Sequence, residues 1–270
     1  MGIQLGAAWF DALAGRPDVI SQLDFIELPG WLVEQVSGRL QRPAILHNLD
    51  LDWSLAAPDA FDTAWPDRLA GALERTGSPW FSLHLGFACE RVRFEGHMLP
   101  VSPPLERGIL LDRLVDAIDR AKEMCPVPLL VENLDYCPEG AYEHVCEPAF
   151  IAEVLERTGV GLLFDLGHWQ VSASWLGYDP VKALDLLPLE RVIEIHLSSP
   201  RTLDETGRLD DVHAELIERD LELLGTLLER AKPRALTFEY RRDPNRLAAQ
   251  LGVVRGLLGK RAGIISHAAR

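Results

Sequence analysis

Residues 161–165, Gly-Leu-Leu-Phe-Asp, are apolar until an acid closes the run, and His168 follows three positions later. The same design recurs along the chain: apolar runs at 44–47, 81–85, 129–132, 192–197 and 235–240 carry His47, His84, Glu132, His196 and Glu239 at or near their ends. Short β-rich runs that alternate with amphipathic helical patterns are the signature of parallel βα units. With the runs at 3–9 and 25–28 there are eight such strands, the number that closes an α/β barrel. A barrel of this kind takes roughly 250 residues, so the 270 residues predict one domain over 1–270.

Helical patterns fall between the strands at 62–75, 105–124, 148–157, 180–187, 214–231 and 245–258, with shorter ones at 10–20 and 31–40. In the second of these, Leu110, Leu111, Leu114, Ile118 and Ala121 follow the three-and-four spacing of a helix packed on a sheet. Three connections are long, 48–59, 86–104 and 133–147. Loops of that length in a compact barrel often serve as binding loops or lids.

Side chains at the C-terminal ends of barrel strands converge even when far apart in sequence. Those positions hold His47, His84, Glu132, Asp165, His196 and Glu239, with His168 a short step beyond its strand and Asp211 and His213 in the loop after the seventh strand. A lone histidine or acid there is more often structural than a ligand. Nine of them in one cleft would each lose several kcal/mol of hydration without partners, and bound cations remove that penalty. Imidazoles and carboxylates without thiolate suit zinc, manganese or iron. Nine groups exceed what one ion needs, so two or three ions are expected, with Glu132 or Glu239 as a bridging carboxylate. Asp211, near the rim, can act as a base instead of a ligand. Glu27, closing the second strand, is a candidate to orient a ligand from behind, as are Asn133 and Tyr136. Arg241 and Arg242 follow Glu239 and can pair with acids or hold a substrate carboxylate. Trp169 and Trp175 either wall the cleft or anchor its loop, and His97, His144 and His267 receive no role.

The net charge of −14 repels polyanions, so no nucleic-acid partner is expected. No stretch of ~18 apolar residues occurs, so no membrane partner is expected, and the N-terminus lacks a secretory signal, which makes cytoplasm the expected compartment. Cys89, Cys125, Cys137 and Cys146 form no Cys-x-x-Cys pair and are read as reduced structural thiols, with pairing of Cys137 and Cys146 as the minor alternative.

Several runs carry a family resemblance. Val131-Glu132-Asn133, Val171-Ser172-Ala173 followed by Leu176-Gly177-Tyr178-Asp179, Glu194-Ile195-His196-Leu197 and Thr237-Phe238-Glu239-Tyr240 resemble the multinuclear non-haem iron-dependent oxidases (MNIO, DUF692). The likeness spans nearly the whole chain and is most specific from Pro128 onward. It implies a xylose isomerase-like TIM barrel, related also to endonuclease IV, that holds two or three iron ions. It further implies an enzyme that uses dioxygen to modify a residue, above all cysteine, of a ribosomally made precursor peptide, often with a partner protein that presents the leader. Carried over by position, His47, His84, Glu132, Asp165, His196, Asp211, His213 and Glu239 become iron ligands. The chain departs from the family pattern at His168, where asparagine is common, and at Leu83, where glutamate is common. His168 brings the set nearer to the nine-ligand pattern of endonuclease IV, a zinc enzyme acting on DNA. The rival readings are a zinc or manganese hydrolase or sugar isomerase on the same scaffold, and a metal-bearing barrel that only binds a peptide.

Overall fold

A computed structural model of the chain describes residues 2–138, 140–203 and 205–268, with side chains as far as residue 260. Eight strands form the frame: β1 (Gln4–Ala8), β2 (Phe25–Pro29), β3 (Ala44–His47), β4 (Phe81–His84), β5 (Leu129–Glu132), β6 (Gly161–Asp165), β7 (Val192–Leu197) and β8 (Ala235–Phe238). Each pairs in parallel with its sequence neighbours, and β1 pairs with β8 to close the barrel. The eight expected strands match these within two residues at either end. Helices α1 (Pro17–Ile20), α2 (Gly30–Val36), α3 (Trp65–Thr76), α4 (Arg107–Met124), α5 (Pro148–Thr158), α6 (Leu166–Leu176) and α7 (Glu218–Arg230) return the chain from one strand to the next, and α8 (Pro244–Ala268) follows β8.

Successive strand residues point to opposite faces, and the sequence uses this to divide the interior. Outward residues such as Leu46, Val131, Phe164 and Ile195 join the main apolar core under the helices. Inward residues change character along the barrel axis: Ile45 precedes His47, Leu130 precedes Glu132 and Leu163 precedes Asp165 on the same face. Phe25, Ile45, Trp80, Leu130, Leu163 and Ala235 accordingly form a separate buried plug at the N-terminal end of the strands. The polar members of each pair are thereby held above a dry floor. Gly6 is needed for that floor, because a Cβ there would sit 2.2 Å from the Phe25 ring.

Several expected helices are altered for local reasons. Pro17 opens a new helix, so the pattern over 10–20 divides into a 3-10 turn at Asp11–Leu13 and α1. The pattern at 180–187 is a 3-10 turn, Lys182–Leu186. The start expected at 214 moves to Glu218, where the Asp220 carboxylate accepts the Ile217 N–H at 2.8 Å and caps the helix. Two long connections fold into hairpins: Val92–Phe94 with Met98–Pro100 after β4, and Ser199–Thr202 with Leu209–Ala214 after β7. Asp211 and His213 are thus on a strand of the second hairpin rather than in open loop, a correction to the sequence reading.

Candidate metal centre

The mouth of the barrel gathers all nine expected groups. His47, Glu132 and Asp165 are the last residues of β3, β5 and β6, His84 ends β4, His196 lies one residue before the end of β7, and Glu239 follows β8 directly. His168 arrives by a route the sequence reading missed. Asp165 is both the end of β6 and the N-cap of α6, its Oδ1 accepting the His168 N–H at 2.6 Å. The helix begins without a loop and turns His168 back over the mouth. Asp211 and His213 reach in from the hairpin after β7, which rests on α6: Trp175 donates from Nε1 to the Leu209 carbonyl at 2.9 Å, and Arg208 stacks on the Trp175 ring at 4.4 Å. Trp175 therefore anchors the loop rather than walling the cleft.

Four sets of ligand atoms lie within 4.8 Å of one another: His47, His84 and Glu132; His168, Asp211 and His213; Glu132, Asp165, His168 and Glu239; and Glu27, His196 and Glu239. Glu132 and Glu239 each belong to two sets, the arrangement expected of bridging carboxylates.

Partners behind the ligands fix which atom faces inward. His196 Nε2 lies 2.7 Å from Glu27 Oε2, so Nε2 carries the proton that Glu27 accepts. The opposite ring nitrogen, Nδ1, then turns its lone pair toward Glu132 Oε1 and Glu239 Oε2, each at 3.3 Å. His168 in the same way donates from Nδ1 to the Asn133 carbonyl at 3.0 Å and leaves Nε2 pointing at Asp211 Oδ2, 3.7 Å away. His47 Nδ1 is 2.9 Å from Ser82 Oγ, which aims Nε2 toward Glu132 Oε2 at 3.2 Å. Asn48 links this ring to the next strand: its amide nitrogen stands 2.7 Å from His47 Nε2 and its oxygen accepts the His84 N–H at 3.0 Å. These are the carboxylate, carbonyl and hydroxyl supports that orient histidine ligands in metal sites.

Three buried atoms at the centre have no hydrogen-bond partner: Glu132 Oε2, Asp165 Oδ2 and His196 Nδ1. A lone pair facing carboxylate oxygens at 3.3 Å is repulsive unless a proton or a cation stands between them. The donor set, all imidazole and carboxylate and with no cysteine in any set, fits hard to borderline divalent ions. The electrostatics show what a cation would replace: against the lowering by burial, neighbouring carboxylates hold His47, His168 and His196 above the ordinary histidine range, so protons stand where cations would. Burial pushes His84 down to about 4, so its imidazole is neutral and available. Burial, with Glu239 and Glu132 beside it, raises Asp165 to about 7. Burial also lowers His213, but Glu239 and Asp211 outweigh it and lift the ring to about 10. Against the desolvation that burial imposes, His168 and His213 carry Asp211 well below the usual carboxylate range.

Sequence reasoning overlooked Glu194 and Asp135. Glu194 lies under the centre, accepting from Trp80 Nε1 at 2.7 Å and from the Thr237 hydroxyl, and burial followed by the charge of Glu27 raises it to about 7. Its inward position two residues before His196 was the available signal. Asp135, three residues past Glu132, is raised first by burial and then by Asp211, while His168 and His213 oppose the shift. The expected support from Glu27 and Asn133 is present. His144 pairs with Glu147 at 2.9 Å, away from the centre, and the His267 side chain lies outside the described residues.

Gly167 leaves no room for a side chain, since a Cβ would meet Ser198 Oγ at 2.3 Å and Asp165 Oδ1 at 3.3 Å. Gly167→Ala is expected to push the first turn of α6 off β7, destabilising the fold by ~1–3 kcal/mol and loosening metal held by His168. Thermal denaturation together with metal titration checks both effects.

A closed parallel barrel whose mouth gathers imidazoles and carboxylates that could hold cations defines the class: a TIM barrel with a candidate metal site at the C-terminal ends of its strands. The chain belongs to the family described as RiPP precursor modification enzyme MbnB/TglH/ChrH, whose model matches residues 24–252, in agreement with the DUF692 resemblance. A UPF0276 protein of Streptomyces avermitilis is 31% identical over 274 residues, covering 94% of this chain and 55% of that protein. One from Caulobacter vibrioides is 33% identical over 205 residues, covering 74% of this chain and 71% of that protein. The chain thus spans about 55% of the length of the Streptomyces relative. Among solved structures, a D-tagatose 3-epimerase-like protein aligns with a TM-score of 0.66 at 14% identity, covering 97% of this chain and 100% of that one. Endonuclease IV from Thermus thermophilus aligns at 0.57 and 19%, covering 95% and 99%. These two share the fold. Among the described residues no helix is long and apolar enough to cross a membrane.

Proposed function

We propose that this chain is an iron-dependent oxidase that uses dioxygen to modify a residue, above all cysteine, of a ribosomally made precursor peptide. The single observation that carries the reading is the coincidence of the family match over 24–252 with overlapping sets of imidazole and carboxylate donors at the barrel mouth. His47, His84 and Glu132 would hold one ion and His168, Asp211 and His213 another, and Asp165, Glu132 and Glu239, whose oxygens lie 3.3–3.8 Å from His196 Nδ1, would hold a third with that ring. Iron at these positions supplies redox chemistry toward dioxygen and a soft enough acceptor for a substrate thiolate.

The chain's own residues do the rest. Glu27 and the Asn133 carbonyl lock the His196 and His168 tautomers, so the donors are oriented before substrate arrives. The plug of Phe25, Trp80, Leu130 and Leu163 closes the floor, so water and substrate approach only from the mouth. Asp211, with Oδ2 2.8 Å from His213 Nδ1 and Oδ1 3.5 Å from Ser198 Oγ, would act as a base toward the substrate only in place of its role as a ligand. Exposed Trp31 at the start of α2, Leu51 after β3 and Phe94 on the hairpin after β4 would offer a peptide apolar contacts at the rim. A separate leader-presenting protein and a cytoplasmic setting belong to the same proposal.

Purification without oxygen followed by metal analysis tests the reading. Iron at about two or more equivalents per chain, with oxygen uptake on addition of a cysteine-containing precursor peptide, is the expected result. Stoichiometric zinc that iron does not displace, or peptide-independent turnover of a sugar or phosphodiester, would replace it with the hydrolase or isomerase reading.

A further inference from the structure

The carboxylates of the metal centre face imidazoles, with one exception. Glu239 Oε1 accepts a hydrogen bond from the Arg241 guanidinium at 2.6 Å. Among the described residues no Lys or Arg stands within ion-pair reach of Glu132, Asp165 or Asp211, so Arg241 is the one permanent cation at this basin. Its side chain is 49% exposed against 6% for Glu239, and His213, 33% exposed, lies on the other side of that carboxylate with Nε2 3.2 Å from Oε2. The guanidinium therefore sits on the solvent side of the centre, where substrate must enter. Its neighbour Arg242 is engaged elsewhere, donating to the Val212 carbonyl and tying down the hairpin.

A half-exposed arginine is ordinarily a solvated surface group. Arg241 differs because one arm is pinned by a nearly buried carboxylate, while the rest of its five N–H donors find no partner among the described residues. A planar fork fixed in this way is organised in advance for a second carboxylate, which meets it in the bidentate geometry that lysine cannot offer. The surroundings sharpen the point: with a net charge of −14 and several acids lining the mouth, a guanidinium at the entrance offers an anionic substrate group a fixed, directional partner beside the metal ligands.

We propose that Arg241 is a specificity-determining residue that binds a carboxylate of the substrate and holds it beside the metal centre. The proposal rests on the peptide-modifying reading above. The carboxylate has two sources of the same chemistry in a peptide, the C-terminus or an aspartate or glutamate side chain next to the modified residue.

The test uses the full chain, metal-loaded and kept free of oxygen, with three fluorescein-labelled peptides read by anisotropy. One ends Gly-Ser-Gly-Cys with a free carboxylate, the second is its C-terminal amide, and the third is an amide in which Asp follows Cys. Wild type should bind at least one acidic peptide about tenfold or more tightly than the neutral amide, and which of the two it prefers identifies the source. Arg241→Lys, which keeps the charge beside Glu239 but not the fork, should retain its metal and most of that preference should vanish; Arg241→Gln should abolish it. Equal binding of all three peptides by wild type, or full preference in both variants, overturns the proposal. Should Arg241→Gln lose metal through release of Glu239, Arg241→Lys decides alone. Metal content and oxygen uptake are scored separately, so failure of the oxidase reading and failure of this one give different results.

Discussion

Glu132→Gln leaves the barrel folded and strips the centre: at least one equivalent of metal is lost and turnover falls by more than about 100-fold, beyond the 10–100-fold that removal of a group behind a ligand produces. The reason is position. Glu132 is 1% exposed, and its two oxygens serve different neighbours, Oε2 facing His47 Nε2 at 3.2 Å and His84 Nε2 at 3.6 Å, Oε1 facing His196 Nδ1 at 3.3 Å and His168 Nδ1 at 3.4 Å. Glutamine fills the same volume but replaces one oxygen with a donor that cannot bind a cation, and it removes the negative charge that two sets of ligands share. The paired control is Glu27→Gln, which leaves His196 in place but weakens its orientation, with an expected loss of about 10–100-fold in metal affinity. Metal analysis with circular dichroism separates these effects from unfolding. Full metal content in folded Glu132→Gln would remove Glu132 from the centre.

Much of this was legible because a parallel barrel imposes a simple rule on its sequence. Alternation places the last inward residue of each strand at the mouth, so apolar runs ending in His47, Glu132 and Asp165 announced both strand and site. Helix α6 escaped for the converse reason. Leu166 through Ala173 are all buried, so no polar face marks a helical period, and the signals left were the Asp165 N-cap and Gly177 in the left-handed C-cap position. The hairpin after β7 was hidden because residues 209–214, Leu-Asp-Asp-Val-His-Ala, mix polar and apolar residues without a continuous alternation and pair only within the connection. Glu194 went unremarked because a single acid inside an apolar run looks like a strand end until the register shows it two residues deeper. The nine site groups were found by their strand-end positions, whereas the groups that orient them, Ser82 and Asn48 among them, have nothing in the sequence to distinguish them from ordinary loop and strand polars.

Asp165→Asn should change stability in opposite directions in the stripped and the loaded protein, which links the electrostatics of the centre to what it is built to hold. In the stripped protein burial, with Glu239 and Glu132 nearby, lifts the Asp165 carboxyl from 3.8 to about 7. A folded-state pKa above the unfolded one means that the stabilising form is protonated: its contribution is fully present below about pH 4 and disappears as pH rises through 7. Each unit of that shift corresponds to about 1.4 kcal/mol, so ionised Asp165 at pH 8 destabilises the stripped fold by a few kcal/mol. Asparagine has no proton to lose, and its amide nitrogen falls where Oδ2 is unpartnered while the oxygen still caps α6 through the His168 N–H. Stripped Asp165→Asn is therefore expected to melt above stripped wild type at pH 8, with the difference shrinking toward pH 5. Cations reverse the order, because the ionised carboxylate is the form they take up, and ligand binding to the native state adds stability by mass action. With metal restored, wild type should melt above the variant at pH 8. Melting curves with and without chelator at the two pH values measure both differences, and a variant that is no more stable than wild type when stripped at pH 8 would show that the Asp165 charge is not what the cations neutralise.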